Sequence, residues 1–312
     1  MIENNVDTVF FHSWFRKYVK GFYSEDPKIQ ENIRLKEEHT LRVCKEILQL
    51  GKALHLNKNA LRLADTIALF HDIGRFEQFK TYGTFNDKVS ENHATLGLKV
   101  LEETGVLSRL TKTQRSIAYK AIGYHNVRKL PCPACETPDC LLYSKLVRDA
   151  DKLDIWLVVT NYYAERHKHR NPALELELPD TLEYSLCFVE DILNNRISNS
   201  HELKTFNDMK LLQLGWLFDI NFTHTFQQIQ QRRIIEKIIA DLPDTEDIRK
   251  IQNHLKEHLN KKISEKRFFH KKSSKNCPSG GAGDIPFREI KSKRCANGRR
   301  AQSNYSVKSL DF

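Results

Sequence analysis

The chain has 312 residues, 40% of them apolar, which is enough for a substantial core. Its formal charge is +10, but residues 261–312 hold 14 Lys+Arg against 4 Asp+Glu, so the first 260 residues are balanced at 36 of each. That balance argues against nucleic acid as a partner of the chain's body and confines any such attraction, salt-dependent as it would be, to the tail. No stretch approaches the roughly 18 unbroken apolar residues of a membrane span, so no membrane partner is expected. Seven unevenly placed Cys make no disulfide framework, and the start Met1-Ile2-Glu3-Asn4 lacks the basic region of a secretory leader. A cytoplasmic setting is the expectation.

Taken in order, residues 5–22 pattern as an amphipathic helix through Val6, Val9, Phe10, Phe11, Trp14 and Val19. A second helix starts at Pro27, a first-turn residue, and runs to about Leu56 with His39 near its middle. Asn57 reads as the cap of a third, in which Ala64, Ile67, Ala68 and His71 recur at i, i+3, i+4 and i+7. Asp72 follows, and Gly74 reads as a helix stop. Phe76, Phe79, Tyr82 and Phe85, with a turn at Gly83, read either as a loop packed on the bundle or as a wall over a site. Ser90 is expected to cap a helix carrying His93 and ending at Gly105. Thr111 or Thr113 should start the next, where Ala118, Ala121, Ile122 and His125 repeat the stripe seen at His71.

Pro131, Pro133 and Pro138 make residues 126–140 a loop. The helical pattern resumes from Leu141 to about Tyr163 and contains Asp151. Further helices are expected around 181–195, 205–219, 224–241 and 244–262. Strand patterns are nearly absent. The fold class is therefore all-α, a helical bundle over residues 1–265, followed by a basic, Gly/Ser-rich tail over 266–312 that cannot bury enough surface to order itself.

The chemistry lies at the ends of the apolar stripes. An imidazole and an adjacent carboxylate on a buried stripe need a partner for their charge and lone pairs, and a divalent cation is the simplest one. His39, His71, Asp72, His93, His125 and Asp151 fall on five separate helical segments. Such an imidazole and carboxylate set suits Fe, Mn, Zn, Co or Ni better than Ca or Mg.

The order His39, His71-Asp72, Asp151, the last in Ala150-Asp-Lys-Leu153, resembles the H…HD…D pattern of the HD-domain metal-dependent phosphohydrolase superfamily. With His93 and His125 it resembles the subset written H…HD…H…H…D. That resemblance implies an HD-domain helical bundle with the metal site in its core. It also implies two ions per chain: His39, His71, Asp72 and Asp151 around one, His93 and His125 at the other, and Asp72 bridging. It implies hydrolysis of a phosphoester or phosphoanhydride, with a small phosphorylated, nucleotide-like substrate as the partner. Some members of the superfamily instead use the same set, loaded with two irons, to activate O2. A regulatory nucleotide-binding module is a third reading, and retention of all six ligands argues against it.

Around this set, Asp72 and Arg75 are the candidate catalytic residues. Arg75 stands three residues after the HD pair and could fork onto a phosphate, as a basic residue there does in several relatives; a surface ion pair with Glu77 or Glu38 is the plainer alternative. Arg128 and Lys129, just past His125, are candidate substrate contacts. Lys152 and Glu38 adjoin ligands, so on a helix they should point elsewhere. Asp154 shares a face with Asp151 and could orient a ligating His. Cys132-x-x-Cys135 with Cys140 supplies half of a zinc-ribbon spacing, which reads first as a free-thiol loop and second as structural zinc. Closing such a site could take a second subunit, so a homo-oligomer stays open.

Overall fold

Short polar side chains write the helix starts. In the computed structural model, which describes residues 5–168, 170, 175, 176 and 178–273, Asp7 accepts from Phe10 N at the head of α1 (Thr8–Lys20). Asp26 caps α2 (Pro27–Ala53) through Lys28 N and Ile29 N, with Pro27 at the first position. Asn57 caps α3 (Lys58–Phe70) through Ala60 N. Thr111 and Gln114 form a reciprocal capping box on α6 (Lys112–Gly123), and Thr137 caps α7 (Pro138–Glu165). Each satisfies amide donors that the first helical turn leaves without partners.

Four starts and stops differ from the pattern reading, the first being α7, which begins at Pro138, inside the 126–140 stretch expected to be loop, because proline is tolerated in a helix's first turn. Gly74 does not stop a helix. Residues 71–73 make a turn and Gly74 begins α4 (Gly74–Tyr82), where a loop was one reading of the aromatic spacing. A Cβ at Gly74 would lie 2.2 Å from His93 O and 2.4 Å from Gly97 N, so the glycine is needed for close approach to α5 (His93–Thr104). Ser90 does not cap α5: its hydroxyl bonds Asn86 O and accepts from Gln78 Nε2, and Asn92 does the capping through Thr95 N. The single helix expected over 224–241 is two, α10 (Thr223–Gln231) and α11 (Ile234–Ile239), broken where Arg233 takes φ +55°.

The remaining helices are α8 (Leu186–Leu193), α9 (Phe206–Gly215) and α12 (Glu246–Ser273). Among the described residues there is no strand. Residues 274–312, where most of the expected tail falls, lie outside the described residues.

Two apolar clusters fill the bundle. The first takes Phe11, Phe15, Val43, Ile47, Ile67, Phe70 and Ile122 from α1–α6, and the second takes Phe188, Phe206, Met209, Trp216, Ile238 and Leu255 from α8 onward. Helix α7 belongs to both. Tyr143, Leu146, Val147 and Ala150 pack into the first cluster, and Leu153, Trp156, Val159 and Tyr163 into the second. Asp151 sits where the helix passes from one to the other.

Candidate metal centre

Two of the expected ligands arise from helix ends. His71 directly follows α3, and its Nδ1 bonds Ala68 O at 2.7 Å; His125 follows α6, and its Nδ1 bonds Ile122 O at 2.6 Å. Both acceptors are carbonyls of a helix's last turn. In accepting the Nδ1 protons they fix the tautomer, leaving the Nε2 lone pairs facing inward. Carboxylates do the same for the other two imidazoles. His39 Nδ1 meets Asp154 Oδ2 at 2.7 Å, and His93 Nδ1 meets Asp87 Oδ2 at 2.6 Å.

Four inward nitrogens and two carboxylates converge. His39 Nε2 lies 3.1 Å and His71 Nε2 3.5 Å from Asp151 Oδ1, and the same nitrogens lie 3.6 and 3.8 Å from Asp72 Oδ2. The other oxygen of Asp72 faces the opposite way: Oδ1 is 3.5 Å from His93 Nε2 and 3.7 Å from His125 Nε2. His93 Nε2 and His125 Nε2 are 3.0 Å apart. The six residues expected from the sequence thus converge on one place, with Asp72 turning one oxygen toward His39 and His71 and the other toward His93 and His125.

The donor set fits divalent cations. With all four Nδ1 protons spent on acceptors, the Nε2 atoms of His93 and His125 turn two lone pairs toward each other, an arrangement that a cation between them relieves. His71 Nε2 is fully buried and has no hydrogen-bond partner among the described residues. Ligand atoms about 3 Å apart are what neighbouring positions demand on an ion with bonds near 2.1 Å. Among the described residues, His39–His71–Asp151 and His71–Asp72–His125 are groups close enough to share an ion, and the loop cysteines form none. A further group, His12, Cys44 and Asp65, is closed on itself: His12 Nε2 pairs with Asp65 Oδ2 at 2.9 Å and the thiol meets Asp65 O.

Charge in the centre is set by partners acting against burial. Burial opposes ionisation of Asp72, yet Lys36, His71, His125 and Arg75 hold its carboxyl well below the usual range. Burial also works against His39, but Asp151 and Asp154 push the imidazole up to about 9. A cation in the centre would take the place of that proton. Burial and the nearby Arg75 push His93 down to about 4, which keeps its ring neutral and fit to donate a lone pair.

The centre opens into a small pocket of about 40 Å³, lined by Lys36, Asn126, Lys152, Ile155 and Trp216 as well as Arg75 and the candidate ligands other than His71. Arg75 is buried, so the surface ion pair does not form. Its Nη1 donates to Gln78 Oε1, Phe85 O and Asp87 Oδ1, while its Nε has no hydrogen-bond partner among the described residues. Lys152 was expected to point away from the centre, but it lines the pocket with Nζ 2.9 Å from Asp219 Oδ2. Arg128 and Lys129 are exposed and do not line the pocket; Arg128 donates instead to Ile197 O at 2.8 Å. Just before them, Arg148 Nη1 bonds the carbonyls of Tyr124, His125 and Val127 and so holds the backbone from which they project.

Four residues near the centre were not read from the sequence. Lys36 Nζ lies 3.2 Å from Asp72 Oδ2, and its place three residues before His39, on one helical face, was a usable signal. Asp87 sits outside any helix and offered no periodicity. Asn126 was passed over as loop, and Trp216 joins only through the tertiary fold.

Residues 37–156 match the family model described as the HD domain. No curated protein and no solved structure matches the chain.

Proposed function

Residues 37–156 belong to the HD-domain superfamily of metal-dependent phosphohydrolases, and on that premise we propose that the chain hydrolyses a phosphoester or phosphoanhydride of a small, nucleotide-like metabolite. The observation that carries this reading is the division of Asp72, one oxygen toward each ligand set. His39, His71, Asp72 and Asp151 would hold one divalent transition metal, and His93, His125 and Asp72 the second. Two such ions supply a nucleophile from water at neutral pH and positive charge for the phosphoryl oxygens.

The chain's own side chains supply the rest. Lys36, Lys152 and Arg75 bring cationic groups to the pocket wall, where they can neutralise a phosphate. Ile155 and Trp216 give an apolar face for the remainder of the substrate. Asp154 and Asp87 hold His39 and His93 in the ligating tautomer.

The test is to purify the protein without chelator, measure bound metals and screen phosphomonoesters, diesters and anhydrides with and without O2. Release of phosphate that proceeds anaerobically supports hydrolysis. Turnover that requires reduced iron and O2 would make the centre an oxygenase.

A further inference from the structure

One pocket side chain is used neither as a ligand nor by the fold. Asn126 follows His125 directly, lines the same pocket and keeps only 5% of its surface exposed. Neither Oδ1 nor Nδ2 has a hydrogen-bond partner among the described residues. Exchanging the two ends of the amide alters nothing, since both are unspent. Burying an amide in this way is costly, and an apolar residue would avoid the cost.

The amide is also held in place. Arg148 Nη1 bonds Tyr124 O at 3.0 Å, His125 O at 2.9 Å and Val127 O at 2.6 Å, which fixes the carbonyl just before Asn126 and the one just after it. Arg148 is anchored in turn on Asp219. A side chain on so fixed a backbone is preorganised for a ligand.

The ligand's chemistry follows from the two ends. Nδ2 can donate to a phosphate oxygen, but Oδ1 needs a donor, and phosphate oxygens at neutral pH are almost all acceptors. A hydroxyl near the phosphate supplies what Oδ1 lacks, with the carbon skeleton against Ile155 and Trp216. We infer that Asn126 is a specificity-determining residue that reads such a hydroxyl. The substrate class is then the phosphate esters of polyols and sugars, the ribose of a nucleotide included. This rests on the phosphohydrolase reading.

The test compares kcat/KM for matched esters that differ only in hydroxyls: glycerol 1-phosphate against propyl phosphate, and adenosine 5′-monophosphate against its 2′,3′-dideoxy analogue. The unaltered protein is expected to prefer the hydroxylated member of at least one pair, and the responding pair tells polyol from ribose. Asn126→Ala is expected to shrink that preference about ten-fold or more, the worth of one well-placed hydrogen bond. Thermal unfolding of the variant separates a site effect from a folding defect. If Asn126→Ala does not fold, Asn126→Leu, of similar size and shape, carries the comparison and should also shrink the preference, because it loses the Oδ1 acceptor. An equal loss on both members of each pair, or no loss, overturns the assignment and leaves hydrolysis standing. Cleavage confined to hydroxyl-free substrates such as pyrophosphate overturns it too. If no phosphate compound is cleaved, the hydrolase reading itself fails and the assignment falls with it.

Discussion

Asp72 is the residue on which the centre turns, because each of its oxygens faces a different pair of imidazoles. Asp72→Ala is expected to lose most bound metal and to lower kcat on the order of 10³-fold or more, since it removes charge stabilisation from both sets at once. Full metal content with an unchanged rate would refute the assignment. His125→Ala should leave the other set intact and take metal content from two per chain toward one. The carboxylates behind the imidazoles separate the two sets more gently. Asp154→Asn should weaken the ion at His39, and Asp87→Asn the ion at His93, each by about 10–100-fold, the usual effect of removing a ligand's orienting partner. Metal titration of the two variants checks this: a common loss of both ions in either would contradict the division.

At the scale of elements, the close packing of α4 on α5 brings the HD turn to His93. Gly74→Ala would put a methyl group 2.2 Å from one backbone atom and 2.4 Å from another, neither of which can rotate away. The expected cost is about 3 kcal/mol or more, the upper end for overpacking, together with loss of the second ion. Gly83→Ala makes a control. Gly83 has φ +67° and nothing near its missing Cβ, so only the left-handed strain of roughly 1 kcal/mol applies. Denaturant melts of the two variants give the comparison, and equal midpoints would remove the packing argument. The same element marks how far the sequence could be read. The six converging candidates were legible because His71 and His125 end apolar stripes and the others fall in helical segments of clear period. The role of Gly74 was not, because a helix stop and a close approach both call for glycine. Arg128 and Lys129 looked well placed beside His125, but direction in a loop depends on what holds the backbone, and that is Arg148, more than twenty residues further on.

For the whole molecule, the question is whether two apolar clusters mean two folding units. Helix α7 argues for one: a rigid rod of 28 residues, it is buried in the first cluster over its early turns and in the second over its later ones. Polar ties reinforce the junction. Asp149 accepts from Asn221 N, Phe222 N and Thr225 Oγ1 at the head of α10, and Asp219 accepts from both Arg148 and Lys152. Unfolding either cluster alone would expose half of α7 and strand buried charges, so the described bundle is expected to unfold in a single transition. Tryptophan supplies the probes. Trp14 packs at the first cluster, and Trp156 and Trp216 lie within the second. In Trp14→Phe the fluorescence reports the second cluster alone, and its midpoint should coincide with that of far-UV circular dichroism. Asp219→Ala should lower stability by roughly 3 kcal/mol, and the shared midpoint with it, the low end for breaking a buried ion pair, because Asp219 keeps 15% of its side-chain surface exposed. It should also raise KM, since Lys152 at the pocket wall loses its anchor. If the two signals separate in Asp219→Ala, the junction is held by that carboxylate. If they already separate in Trp14→Phe, the chain is two domains with the metal centre at their boundary.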